Sequence, residues 1–109
     1  MLNLKSKSLQ LSNKSISDQE LLKEIPKFSS FKNVQEFEIR HNKLTVLSCR
    51  LIASNMKHIK VLDIRGNNVY DDGIARIAEG LPNLRSFMMS ETKCSNVGAQ
   101  AIIDNLPNL

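Results

Sequence analysis

The sequence predicts an α/β fold in which about four strand–helix units stack side by side, with a parallel sheet on one face and short helices on the other. Three observations predict it. One apolar pattern recurs at a fixed spacing of 25 residues. Inside each copy the apolar period changes from two residues, as in a strand, to about 3.6, as in a helix. Residues suited to tight turns and helix starts return in the same columns.

The pattern is clearest in Ile59-x-x-Leu62-x-Ile64-x-x-Asn67-x-Val69. One period earlier stand Val34, Phe37, Ile39, Asn42 and Leu44. One period later stand Leu84, Phe87, Met89, Thr92 and Cys94. Leu9, Leu11, Lys14 and Ile16 form a weaker first copy, offset by 28 residues. The second halves agree as well: VYDDGIARIAEGLPNL aligns without a gap on CSNVGAQAIIDNLPNL, and Ser48, Ile52 and Met56 occupy the columns of Gly73, Ile77 and Leu81. The expected units are 6–33, 34–58, 59–83 and 84–108, within a single domain covering 1–109.

These motifs resemble those of leucine-rich repeat proteins, and the resemblance covers the whole chain. The helix start in DDGIARIAEGL is similar to the ribonuclease-inhibitor-like class, with shorter repeats than that class usually has. The resemblance implies a right-handed solenoid with a concave sheet and convex helices, and a protein partner as the usual ligand. The first copy departs from the pattern at Ser6 and Lys14 and is three residues longer.

Each element has a local reason. On the strands, alternation turns the leucine-type pair inward and its neighbours outward. Ile74, Ile77, Ala78 and Leu81 then follow helical spacing and form one apolar face. Neither element buries its apolar side alone, so copies stack. Asn42 and Asn67 carry donor and acceptor atoms on a short side chain, which suits them to pairing backbone groups of their own and the adjacent turn; Thr92 keeps part of that capacity. Asn68 is expected at the surface. Asp18, Asp71 and Asn96 share a column before each helix and are expected as N-caps. Gly73 and Gly98 are expected to make room where helix meets sheet. Leu21, Leu22, Ile25, Phe28 and Phe31 are available for an apolar face in the first unit, interrupted by Pro26. Pro82 and Pro107 stand where helices stop.

Composition narrows the function. The formal charge is +4. Six lysines against three acids in residues 1–33 carry most of it, and no like-charge run is long enough for a nucleic-acid tail. No apolar stretch approaches the ~18 residues of a membrane span, and the N-terminus lacks the continuous apolar segment of a secretory signal. Cys49 and Cys94 lack a paired metal or redox spacing. They are expected buried and reduced, which points to the cytoplasm, or to a host cytosol for a secreted effector. No cofactor and no metal are expected: Asp71 and Asp72 are read as helix-start residues, not ligands. His58 is expected at the surface.

The outward strand positions form the candidate partner-binding surface. One column holds Ser8, Glu36, Val61 and Ser86; the next Gln10, Glu38, Asp63 and Met88; the third Ser12, Arg40, Arg65 and Ser90. Asn13, His41, Gly66 and Glu91 line the rim. Glu38 and Asp63 are expected as an acidic pair beside the basic pair Arg40 and Arg65, with Val61 and Met88 adding apolar area. On one account these charges simply neutralise one another in solvent. On the other, Arg40 and Arg65 orient a partner carboxylate. An enzyme is not expected, because an open sheet surface around His41 excludes little water. Nucleic acid is disfavoured by mixed charge and the lack of an aromatic stacking platform. The function expected is therefore non-catalytic protein binding. The alternative is a structural segment of a longer or self-associating array, with Ser86–Ser90 as an open edge. At the opposite edge, Lys5, Lys7 and Lys14 are expected to guard by charge.

Overall fold

Four three-residue strands alternate with four helices in the computed structural model, which describes residues 7–28 and 33–109. The order is β1 (Ser8–Gln10), α1 (Asp18–Phe28), β2 (Glu36–Glu38), α2 (Val46–Asn55), β3 (Val61–Asp63), α3 (Tyr70–Gly80), β4 (Ser86–Met88) and α4 (Asn96–Asn105). The expectations for Lys5, Ser6, Phe31 and the Phe28 side chain lie outside the described residues.

The strands form one parallel sheet in the order β1-β2-β3-β4. Leu9, Phe37, Leu62 and Phe87 lie in register, as the 28- and 25-residue spacings require. Leu9, Phe37 and Leu62 are buried, together with Ile39, Ile64 and the helix residues Leu21, Ile25, Ile52, Ile74 and Ile77. The sheet and helices thus share one core. Backbone pairing runs past the strands: Ile39 N donates to Asp63 O at 2.9 Å, and His41 N to Arg65 O at 2.8 Å.

The asparagine column explains how the chain leaves the sheet. Asn67 is fully buried. Its Nδ2 donates to Ile39 O and Ile64 O at 2.9 and 3.0 Å, and its Oδ1 accepts from Asn42 N and Leu44 N at 3.2 and 3.1 Å. Asn42 repeats this toward the first unit, accepting from Lys14 N and Ile16 N and donating to Leu11 O. Buried backbone groups left unpaired would each cost about 1–3 kcal/mol. Thr92 keeps the donor half alone, through Oγ1 to Met89 O at 2.6 Å. The turn after β3 adjusts: Val69 N bonds to Asn67 O, and Tyr70 N to Thr92 O.

The expected right-handed leucine-rich-repeat solenoid, with concave and convex faces, is corrected. The molecule is a compact α/β domain with principal extents of 37 × 27 × 18 Å and a radius of gyration of 12.6 Å; a globular chain of this length has about 13 Å. Four strands spaced ~4.8 Å apart span only some 15 Å of sheet. Over so short a distance two layers close on one core before any extended curvature develops.

Other expectations change locally. The N-caps differ from those read: Ser17 Oγ accepts from Glu20 N, Thr45 Oγ1 from Leu47 N and Ser95 Oγ from Val97 N, while α3 starts after Val69 without a side-chain cap. Asp18 and Asp71 instead reach across to the next unit. Helix α1 runs through Pro26 to Phe28. Leu22 is 56% exposed, because Leu21 and Ile25 already fill the inward face. His58 is half-buried, with Nε2 enclosed and unpartnered, where a surface residue was expected. Gly98 does make room, but for the preceding unit: a Cβ there would sit 2.9 Å from Asp71 Oδ1 and 3.4 Å from Ile74 Cβ.

Candidate functional site

The outward columns of the sheet stand as the sequence places them. Glu36 pairs in register with Val61 and then Ser86; Glu38 pairs with Asp63 and then Met88. Arg40 and Arg65 follow two residues after Glu38 and Asp63, hence on the same face. Backbone bonds from Ile39, His41, Ile64 and Gly66 to the next chain segment hold this extension of the sheet. Asn13, His41, Gly66 and Glu91 all have positive φ, from 51° to 74°. This rim column is where the backbone turns away from the sheet. The His41 ring packs over Gly66, where a side chain would collide with Nδ1.

The charge arrangement differs from expectation. Asp63 is not an exposed member of an acidic pair; it is only 1% exposed. Arg65 folds back along the strand and grips it in a fork: Nε donates to Oδ1 at 2.9 Å and Nη2 to Oδ2 at 2.8 Å. Arg40 comes from the neighbouring strand's extension, with Nε 3.7 Å from Asp63 Oδ2. The two guanidinium groups cover the carboxylate. The hydrogen bonds to Asp63 are the main reason the Arg65 pKa is raised, with Glu38 and Glu91 adding to it. Asp63 is therefore an internal counterion, not a contact residue. Glu38 is engaged differently, accepting from Gln10 Nε2 on β1.

Two arginines face two carboxylates: buried Asp63, and Glu38, whose bond from the neutral Gln10 amide leaves its charge in place. Arg40 is the less committed of the pair: its Nε is buried without a hydrogen-bond partner, and its side chain is 35% exposed. Val61 on β3 and Ser86 and Met88 on β4 are half-buried, while Glu36, His41 and Ser90 are exposed. The patch is a charge-balanced cluster with apolar flanks, in which Arg40 Nε lacks a hydrogen-bonded partner. Among the described residues no nucleophile stands within a hydrogen-bonded relay to His41.

Sequence reasoning placed these residues on one face and missed the depth of Asp63. The signal was present in the paired motifs Glu38-Ile39-Arg40 and Asp63-Ile64-Arg65, each an acid followed by an arginine two residues on. It also missed the role of Gln10. Asp71 and Asp72, weighed as possible ligands, separate: Asp71 is spent on Ser95 and Gly98, and Asp72 is exposed.

No protein-family model matches the chain, and no curated protein sequence matches it. Among solved structures it is similar to Leiomodin-1 Actin-Binding Site 2, with a TM-score of 0.76 at 14% sequence identity. The likeness covers 94% of this chain and 66% of that one, so this chain spans just under two thirds of its neighbour's length. At this identity the likeness is one of fold.

Proposed function

We propose that the chain is a non-catalytic protein-interaction module that binds a protein partner on the outward face of its sheet. The observation that carries this reading is the Arg40–Asp63–Arg65 cluster. Its buried carboxylate fixes two guanidinium groups in advance, so little side-chain freedom is lost on binding. Arg40 meets a partner carboxylate, Arg65 holds the geometry, and Val61 and Met88 supply apolar burial. Arginine and methionine are favoured in interface cores. The repeat pattern's resemblance to leucine-rich repeat proteins supports the reading, since such proteins bind other proteins. The neighbour's description as an actin-binding site makes actin the first partner to try. Free Cys49 and Cys94 fit a reducing compartment, the cytoplasm. Among the described residues no helix is long and apolar enough to cross a membrane.

The test compares the wild-type chain with the variant R40Q/D63N/R65Q, which removes the cluster without stranding Asp63. Capture of cellular protein, and co-sedimentation with actin filaments as a separate arm, are measured after circular dichroism shows that both proteins are folded. Capture lost only in the variant supports the sheet face. Capture that survives puts the partner elsewhere.

A second reading, a segment of a longer or self-associating array, is favoured by the far edge. Strand β4 pairs on one side only. Phe87 and Met89 are half-buried where Phe37, Leu62, Ile39 and Ile64 are fully covered, and Ile103 is 74% exposed in the column of buried Ile25, Ala53 and Ala78. Light scattering over a range of concentrations decides: a particle that stays monomeric throughout removes the self-associating form of this reading.

A further inference from the structure

The far edge of the sheet carries a stretch that is complementary to itself. Strand β4 and its flanks read Arg85-Ser86-Phe87-Met88-Met89-Ser90-Glu91. Outward from Met88 in both directions, Phe87 answers Met89, Ser86 answers Ser90, and Arg85 answers Glu91. Apolar side chain meets apolar, hydroxyl meets hydroxyl, and cation meets anion. Arg85 and Glu91 are exposed, and neither has an ion pair among the described residues.

Backbone bonding leaves the same stretch open. Met88 and Ser90 turn their carbonyls to β3, accepting from Ile64 N at 3.0 Å and Gly66 N at 3.1 Å. Successive residues of a strand serve opposite edges, so Phe87 and Met89 point their N–H and C=O groups away from β3. Behind them the fourth unit is incompletely covered: Phe87, Met89, Ala101 and Ile102 are only partly buried. The opposite end of the stack differs. Leu21 and Ile25 of α1 are each 1% exposed, so α1 keeps no inward residue to offer α4 of another copy. Exposed Lys7 and Lys14 stand at that edge, charges of the kind that deter strand pairing. Head-to-tail stacking of copies is therefore disfavoured, and the form left is a contact of one edge with itself.

We propose that β4 pairs antiparallel with β4 of a second copy of this chain, about a two-fold axis at Met88. The proposal rests on the self-associating reading above and fixes its register and symmetry. Phe87 of one copy and Met89 of the other exchange both backbone bonds, and the two Met88 side chains meet as a non-hydrogen-bonded pair with Cα atoms about 4.5 Å apart. Arg85 lies opposite Glu91 of the other copy, twice by symmetry. Adjacent registers fit worse. An axis at Phe87 sets Arg85 opposite Met89. An axis at Met89 sets Phe87 opposite Glu91 and Arg85 opposite Lys93, and like charges placed opposite each other destabilise a strand pair.

Sedimentation equilibrium of the intact chain over rising concentration should show a monomer–dimer equilibrium that stops at the dimer. Under copper–phenanthroline oxidation M88C should form a disulfide-linked dimer, because the facing Cα atoms fall within the range of about 4.4–6.8 Å that a disulfide spans. S86C, on the same face but opposite Ser90, should not, and neither should the wild type, whose Cys94 faces position 82. R85E should weaken the dimer about tenfold by setting glutamate against glutamate at two symmetric places. R85E/E91R should restore it. Circular dichroism checks that each variant is folded. A dimer that R85E leaves intact, or that S86C cross-links as well as M88C, would overturn this pairing and leave self-association to another surface. Association that runs past the dimer would overturn the two-fold. A chain that stays monomeric at every concentration would overturn both this pairing and the self-associating reading, and leave the edge to a strand of another protein.

Discussion

Asp71 Oδ1 lies 2.6 Å from the backbone nitrogen of Ser95, and Asp71 Oδ2 lies 2.6 Å from the Ser95 hydroxyl. The carboxylate thus clasps the start of α3 to the start of α4, with Gly98 N as a third donor at 3.1 Å. Asp18 does the same between α1 and α2, through Thr45 and Ser48. The middle junction has no such clasp, because Val46 occupies the column on α2. It closes by small residues instead: a Cβ on Gly73 would lie 2.5 Å from Val69 Cβ and 3.0 Å from Cys49 Sγ, and one on Gly80 would lie 2.5 Å from Ala53 Cβ.

The clasps make the fold acid-sensitive. The side-chain hydrogen bond from Ser95, then that from its backbone, lowers the Asp71 pKa below 3.8. For Asp18, burial pushes upward, but the hydrogen bonds from Ser48 and Thr45 outweigh it and the pKa is lowered. A depressed folded-state pKa contributes stability that is present above the unfolded value and lost as pH falls through the folded one. Melting temperature should therefore fall progressively below pH 3.8. In D71N the fall should be shallower, starting from a lower plateau at neutral pH. An unchanged acid slope in D71N would refute the clasp.

Asn67 should be the least replaceable polar residue. N67A removes two acceptor bonds and at least two donor bonds inside the core and leaves the backbone groups of Ile39, Leu44 and Ile64 short of partners. The expected loss is about 3 kcal/mol or more, measured by urea unfolding. N42A should cost less, because Asn42 is only partly buried and solvent can replace some of its bonds.

How much of this was legible follows from residue chemistry. The register, the buried columns and the asparagine ladder depend on spacing and short side chains, and the sequence carries both directly. Asp63 could be placed on a face, but its burial depends on Arg65 folding back and Arg40 leaning across from the next strand. Alternation does not encode what long side chains do. Asp18 and Asp71 were read as caps of their own helices, because aspartate suits the start of its own helix or its neighbour's equally well. Leu22 was assigned to the core because an apolar residue beside Leu21 carries no mark of its facing.

The Arg40–Asp63–Arg65 cluster should resist piecemeal mutation. R40A/R65A leaves the Asp63 carboxylate buried without a counterion, which destabilises strongly. R40A/D63A/R65A removes the charge as well and should melt higher than the double variant despite having one more truncation. Thermal denaturation of the two proteins side by side gives the order; the reverse order would mean that water already reaches Asp63.

Gly66 and His41 should be energetically coupled. G66A forces a side chain into φ +74° and against the His41 imidazole. The left-handed backbone alone costs about 1–2 kcal/mol for a non-glycine residue. H41A should remove the ring collision and leave the backbone term. The double variant G66A/H41A should then be more stable than the sum of the single losses implies, by a margin that a double-mutant cycle reads directly.

The two cysteines should separate cleanly by reactivity. Cys49 is 1% exposed, and burial, helped by the charge of Asp18, pushes its thiol pKa up to about 12. At pH 8 only about one thiol in ten thousand is then ionised, and the thiolate is the reactive form. Cys94 is only partly buried. Under native conditions iodoacetamide should modify Cys94 alone, located by peptide mass. Cys49 should react only as the chain unfolds, so its labelling rate in rising urea should follow global stability and fall into step with the loss of helical signal. Labelling of Cys49 in the folded protein at a rate near that of Cys94 would mean that the α2–α3 junction, closed by Gly73 and Gly80, opens on its own.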